Sequence, residues 1–341
     1  APGADKLVLG AGITASDITV SRSGANLVMK IADPANPAAT DQITVENWWL
    51  GSQYRIETFA FADGTALGTS DIQLDTSGAD LLSGTSADSL LFAGAGNDVL
   101  QGGAGNDLVS DMSGNNLLDG GAGNDWLSGG SGNDLLIGRT GNDVIRGGAG
   151  TDVIAFNKGD GQDVVDATAG QNDALSLGGG ITYQDLALSK QNDDLVVGTG
   201  NGESVTLKSW YASSANHAVL NLQVIAEAMA GFDANSADPL LNKKVQTFDF
   251  TQLVNAFDAA RAADPGLTSW ALTNALTQYH LSGSDDAALG GDLAYQYGLN
   301  GTLAGIGFDK AQDVLTSAQF GTQAQALRPL ASLQDGVTPL S

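Results

Sequence analysis

The stretch GGAGNDLVS at positions 102–110 returns at nine-residue steps as GGAGNDWLS at 120, GGSGNDLLI at 129, GRTGNDVIR at 138 and GGAGTDVIA at 147. Leu82, Leu91, Leu100, Val109, Leu118, Leu127, Leu136, Ile145 and Ile154 hold the nine-residue phase without a break and define nine units from 75 to 155. A fixed short period means that each unit is one structural step that buries its apolar residue only against its neighbours.

Written G-G-x-G-x-D-x-U-x, with U a large aliphatic residue, the unit divides in two. Its last three positions alternate outward, inward and outward, a short strand with U buried. Its first six make a turn in which glycines reach positive φ without a Cβ clash and leave carbonyl oxygens approachable. The aspartate in sixth place adds a carboxylate. If two units make one coil, successive turns on one edge come from every second unit. One edge then carries Asp80, Asp98, Asn116, Asp134 and Asp152, and the other Ser89, Asp107, Asp125 and Asp143. Such a donor set is oxygen-only and anionic. Calcium takes six to eight oxygens, and two stacked turns supply about six. Magnesium prefers a small octahedron, and transition metals prefer imidazole or thiolate. The chain has two His and no Cys.

Carboxylates stacked about 4.8 Å apart repel by about 3 kcal/mol per pair at an effective dielectric of about 20. Ordering each glycine costs a further ~1–2 kcal/mol. One aliphatic per nine residues is a thin core to set against both, so the array is expected to be largely unfolded without cation and to fold as it binds.

A second repeat flanks the first. LVLGAGITASDITVSRSGANLVM (7–29) matches LSLGGGITYQDLALSKQNDDLVV (175–197), and DQITVENWW (41–49) matches ESVTLKSWY (203–211). Both copies read as alternating strands of a β-hairpin module. The expected organisation is a β-rich module over 1–74, the nonapeptide array over 75–155, a roll-closing second module over 156–245 and a helical tail over 246–341. In the tail, Phe250, Leu253, Val254 and Phe257 fall at helical spacing and stop before Asp264-Pro265, and further short helices are expected over 270–280, 286–297 and 309–318, with Gly283 and Gly298 as stops.

The chain has 39 acidic against 14 basic residues, a formal charge of −25. Such a surface repels nucleic acid and anionic membranes and attracts cations. No apolar run reaches the length of a membrane span. The start, APGADKLVLG, has neither an initiator Met nor a signal peptide and reads as the interior of a longer protein.

GGAGNDLVS, GGAGNDWLS and GGSGNDLLI resemble the calcium-binding nonapeptides of RTX (repeats-in-toxin) proteins, and the flanking modules resemble the haemolysin-type calcium-binding-related domain that borders such arrays. The tail is similar to the C-terminal region of large RTX adhesins and toxins exported by type I secretion. The resemblance implies an all-β core, a right-handed parallel β-roll, with Ca2+ between coils. One turn gives its second and fourth carbonyls and its aspartate; the turn two units on gives its first and third carbonyls and its own aspartate.

Carried over, Gly103, Gly105 and Asp107 meet Gly120, Ala122 and Asp125; Gly121, Gly123 and Asp125 meet Gly138, Thr140 and Asp143; and Gly130, Gly132 and Asp134 meet Gly147, Ala149 and Asp152. Gly94, Gly96 and Asp98, Gly129 and Ser131, and Gly102 and Ala104 are further candidate ligands on turns that face irregular units. The units at 84–92 and 111–119 depart from the pattern, with Ala87, a displaced Asp88, Met112 and Asn116, so sites that they share are expected to be weakened or lost. Asp160 or Asp163 is expected to serve the last ion.

No H-E-x-x-H, G-x-S-x-G or P-loop occurs. His217 and His280 are lone residues, read as surface or satisfied interior groups, and Trp48 and Trp210 occupy equivalent module positions and read as packing. Asp33-Pro34, Asp238-Pro239 and Asp264-Pro265 read as turn or helix-stop dipeptides. The resulting expectation is a non-enzymatic, calcium-binding part of a secreted or surface-exposed protein of a Gram-negative bacterium. Its partners would be calcium and the type I secretion machinery, with a cell surface or a glycan as the further partner of an adhesin. The alternative is the calcium-binding domain of an RTX lipase or metalloprotease.

Overall fold

The nine-residue phase becomes a roll of two parallel sheets, because each unit contributes one strand and a turn that carries the chain to the opposite sheet. The computed structural model describes residues 5–14, 17–23, 25–32, 40–50, 52–62, 64, 66–68, 71–74, 77–166, 172–334 and 338–341; Asp33-Pro34 lies outside them. One sheet runs Leu81–Ser83, Val99–Ala104, Leu117–Ala122, Leu135–Thr140, Val153–Asn157, Asp173–Gly178 and Val219–Ile225, all parallel, and ends in antiparallel Val245–Asp249 and His280–Ser284. The other runs Asp71–Leu74, Ser89–Phe92, Leu108–Ser110, Trp126–Ser131, Val144–Ala149, Gln162–Val165 and Glu203–Leu207, then antiparallel Asp194–Gly200, Ala187–Gln191 and Trp270–Ala271.

Register within the array advances by two units per coil: Leu100 pairs with Leu118, Leu118 with Leu136, and Val109 with Leu127. Every U residue points inward, and Leu82 through Ile154 form a single core with Val165, Leu175, Leu207 and Leu222. Both sheets continue through residues 156–225, so the second module is stacked onto the last coil. The end is closed by helix α1 (Phe250–Ala263), whose Phe250, Leu253, Val254 and Phe257 are buried in the same core.

The core is thicker than one aliphatic per unit. Outward-facing Val99, Leu117, Leu135 and Val153 are buried beneath the tail, against Leu293, Tyr297, Val314, Leu315 and Phe320. On the other sheet Leu90, Leu108 and half-buried Trp126 pack against Ile18, Val20, Leu27, Met29 and Trp48 of the first module. Apolar residues on both faces of both sheets give each coil an inner and an outer layer of burial, which the inward count alone misses.

The two modules share details beyond their strands. Thr14 and Thr182 each donate from backbone N and Oγ1, at 2.8 Å, to Asp17 and Asp185 respectively. Trp48 and Trp210 are both buried, which bears out their reading as packing. The tail departs from expectation in three places. Residues 270–280 form a two-residue strand and a 3-10 turn (Leu272–Asn274), Gly283 lies inside the strand His280–Ser284, and Gly298 lies inside α2 (Gly291–Asn300), whose stop is Gly301 at φ 72°. Trp270 and Leu272 are recruited by the sheet edge at Ala187–Gln191, a long-range pairing that overrides local helical spacing. Helix α3 (Phe308–Leu315) overlaps the span expected over 309–318, starting one residue before it and ending three residues short of it.

Candidate metal centre

Each unit's sixth residue is wired into a ladder along one edge of the roll. On one edge Ser89 N donates to Asp107 Oδ1 at 2.7 Å, Asp107 N to Asp125 Oδ1 at 2.8 Å, Asp125 N to Asp143 Oδ1 at 2.8 Å, and Asp143 N to Asp163 Oδ1 at 3.0 Å. On the other, Asp80 N donates to Asp98 Oδ1, Asp98 N to Asn116 Oδ1, Asn116 N to Asp134 Oδ1, Asp134 N to Asp152 Oδ1 and Asp152 N to Asp173 Oδ1, all within 2.8–3.0 Å. Oδ1 is therefore committed to the backbone of the preceding coil.

Oδ2 is not. The Oδ2 atoms of Asp107, Asp111, Asp125, Asp134, Asp143 and Asp152 are buried and accept no hydrogen bond from a protein donor. A buried carboxylate oxygen without a donor is costly, and here the arrangement repeats at every regular turn. The first glycine of the unit makes room for it. A Cβ at Gly102, Gly120, Gly129, Gly138 or Gly147 would lie 2.1–2.5 Å from Oδ2 of Asp107, Asp125, Asp134, Asp143 or Asp152. None of these glycines has positive φ; they are small because the carboxylate needs the space. The fourth glycine answers a different demand: at Gly123, φ is +131° and a Cβ would sit 1.8 Å from the carbonyl oxygen of Gly105 one coil below.

The turns expected to share ions are brought together in register. Gly105 N donates to Ala122 O and Gly123 N to Thr140 O, while Gly103 pairs with Gly121 and Ala104 with Ala122. Gly132 N donates to Ala149 O, and Gly130 pairs with Gly148. Gly138 and Gly147 face the carboxylates of Asp143 and Asp152. Gly94, Gly96 and Asp98 stack on the irregular turn 111–116, and Gly129 and Ser131 lie on its other side; Gly102 and Ala104 stack on Gly84 and Thr85. Among the described residues no three carboxylate or imidazole side chains converge on one point, so an ion here would draw on backbone carbonyls as much as on side chains.

Burial lifts the Asp107 carboxyl to about 7, Asp125 and Asp143 to about 8, and Asp134 well above the usual range; nearby carboxylates add to each, Asp88 for Asp107 and ladder neighbours for the other three. Burial likewise raises Asp152 to about 6, Asp163 to about 8 and Asp173 to about 7. Such a row demands either protons or a cation.

Residues 75–109, 102–136 and 128–163 match the model of the RTX calcium-binding nonapeptide repeat (4 copies), and residues 26–71 match the haemolysin-type calcium binding protein related domain. Residues 75–163 are an RTX calcium-binding region. RTX repeats of this kind bind calcium, and the number of stacked turns implies several ions. No curated protein matches the chain.

The oxygen-rich RTX turns fit the ion. The ladders hold no imidazole: His217 stacks on Trp210 at 4.3 Å and bonds its carbonyl, and His280 bonds Gln246. Calcium would supply the positive charge that the orphaned Oδ2 atoms lack. The two irregular units meet this demand differently from the regular ones, with a side-chain donor of their own. Asn116 Nδ2 donates to Gly114 O at 3.1 Å and Gly129 O at 3.5 Å, so an amide engages carbonyls that a regular unit would turn to an ion. Ser89 Oγ donates to Ala87 O at 2.9 Å in the same way.

At the closing end, Asp163 continues its ladder after a gap of 20 residues, whereas Asp160 is taken up by Asn157 N and the Tyr297 hydroxyl. Asp173 ends the other ladder after a gap of 21; a search at fixed spacing misses it, because insertions break the period there.

Proposed function

We propose that this chain is a non-enzymatic, calcium-dependent folding module near the C-terminal end of a large protein exported by a type I system and released outside a Gram-negative bacterium as an adhesin or toxin. The observation that supports this most is the row of buried, donorless Oδ2 atoms on both edges of the roll. In low cytosolic calcium, sites of extracellular type, with Kd about 10⁻⁴–10⁻³ M, stay empty, the carboxylates repel, and the chain remains threadable. Outside, calcium enters between the turns, the roll closes, and folding opposes backsliding. The ligands assigned to the regular sites are the three sets that centre on Asp107 with Asp125, Asp125 with Asp143, and Asp134 with Asp152.

Far-UV circular dichroism after calcium removal and in millimolar calcium tests the switch. A largely unfolded chelated chain that gains β-structure on calcium addition is expected; a fully β-structured chelated chain contradicts it. Among the described residues no helix is long and apolar enough to cross a membrane.

A further inference from the structure

The unit DMSGNNLLD (111–119) has lost its aspartate to Asn116, and by the repeat rule it loses the ion on both of its sides. The structure separates the two sides. Toward 129–134, the Asn116 amide bonds Gly114 O and Gly129 O. Toward 93–98, the stacking is regular: Ala95 pairs with Ser113, Gly96 N donates to Ser113 O at 3.1 Å, and Asp98 N donates to Asn116 Oδ1 at 2.8 Å.

On that second side the unit brings a carboxylate of its own. Asp111 stands at the first position, where regular units have glycine. Its side chain is 4% exposed, its Oδ1 accepts from Ser113 N at 2.7 Å, and its Oδ2 is buried without a protein donor. The Asp98 carboxylate faces it within hydrogen-bonding reach, although neither group carries a donor when ionised. Two buried carboxylates that face each other between stacked turns are what a divalent cation requires and what a proton-poor interior otherwise rejects. A cavity of about 210 Å³ is lined by Asp111, Ser110, Ser128, Phe92 and residues of the first module.

We propose that the Asp111 carboxylate is a calcium ligand that rebuilds, with Asp98, the cation site between turns 93–98 and 111–116 that the change to Asn116 removes from the repeat pattern. The inference rests on the reading of the roll as a calcium-loaded array. It divides the irregular unit into one side held by an amide and one side held by an ion. Gly94 O, Gly96 O, Asp111 O and Ser113 O are the carbonyls that the repeat rule places at the rebuilt site.

The test counts calcium bound to the whole chain by native mass spectrometry and by equilibrium dialysis at the same millimolar free calcium. Wild type, Asp111→Asn, Asp111→Gly and Asp125→Asn are compared. Asp111→Asn keeps the acceptor for Ser113 N, and Asp111→Gly installs the array's own residue, so failure of one variant to fold leaves the other to decide. Each is expected to bind one ion fewer than wild type while the Asp125→Asn control loses up to two. An unchanged count in either folded Asp111 variant, with the loss still seen at Asp125, overturns the proposal and leaves the calcium reading intact. A wild-type chain that binds no calcium overturns both.

Discussion

Arg139 and Asp119 are joined by two parallel hydrogen bonds, Nε to Oδ1 at 2.5 Å and Nη2 to Oδ2 at 2.6 Å, at the seam between the roll and the tail. Arg139 stands where the repeat has its second glycine and keeps the glycine backbone, with φ 65°. Its guanidinium lies 5.6 Å from the centre of the Tyr297 ring, and the Tyr297 hydroxyl donates to Asp160 Oδ2 at 2.8 Å. Arg139→Gly restores the repeat residue and relieves the left-handed backbone, which is worth about 1–2 kcal/mol. It also strands Asp119, which is 3% exposed. Loss of one partner of a buried pair costs about 3–5 kcal/mol, whereas replacing both is close to neutral. Urea unfolding in calcium should therefore show Arg139→Gly clearly destabilised and Arg139→Gly with Asp119→Asn recovering most of the loss. Equal stability of Arg139→Gly and wild type would refute the coupling.

Two glycines of one unit should fail in different ways. At Gly120 the backbone suits any residue, but a Cβ falls 2.4 Å from Asp125 Oδ2. Gly120→Ala is expected to weaken calcium binding, by about 10–100-fold if it acts as other changes beside metal ligands do, with the loaded fold retained. Gly123→Ala meets both positive φ and the Gly105 carbonyl, so it should prevent the coils from stacking at any calcium concentration. Calorimetric titration with circular dichroism separates the two; the prediction fails if they behave alike.

The buried carboxyls set opposite pH dependences for the two states. In the metal-free fold Asp125, Asp143 and Asp163 are lifted to about 8, and Asp107 and Asp173 to about 7. The unfolded chain titrates near the ordinary value of about 3.9. The metal-free fold therefore binds more protons than the unfolded chain across this window, and its stability rises as pH falls from above 8 toward 4. Calcium needs the same groups ionised, so protons compete with it and the loaded chain loses stability on the same descent. With calcium removed, the far-UV signal of the small folded fraction should grow from pH 8.5 to 5.5, whereas the urea midpoint in saturating calcium should fall over the same descent; a common direction contradicts the assignment.

The array was legible in the sequence because its determinants are local: U alternates into the core, and glycine and aspartate keep fixed places in every turn. The coverings were not. Val99, Leu117 and Leu135 look like ordinary outer strand positions until the tail lies over them, and Trp126 gains meaning only from the first module. Asn116 read from sequence as decay and Asp111 drew no reading at all, because the repeat rule has no place for a carboxylate at the first position or for an amide that bonds carbonyls. Asp173 was hidden by the insertion that shifts it 21 residues from Asp152. In the tail, helical spacing at Trp270 and Leu272 lost to the edge strand Ala187–Gln191, which lies far earlier in the chain and beyond the reach of any local pattern.

The central claim is that metal occupies the space in front of the donorless carboxylate oxygens. A crystal grown in millimolar calcium, with anomalous scattering recorded, addresses it most directly. The account predicts ions between successive turns, at about 2.3–2.6 Å from Oδ2 of Asp107 and Asp125, of Asp125 and Asp143, and of Asp134 and Asp152. Turns that hold only water or protein donors against those oxygens would contradict it.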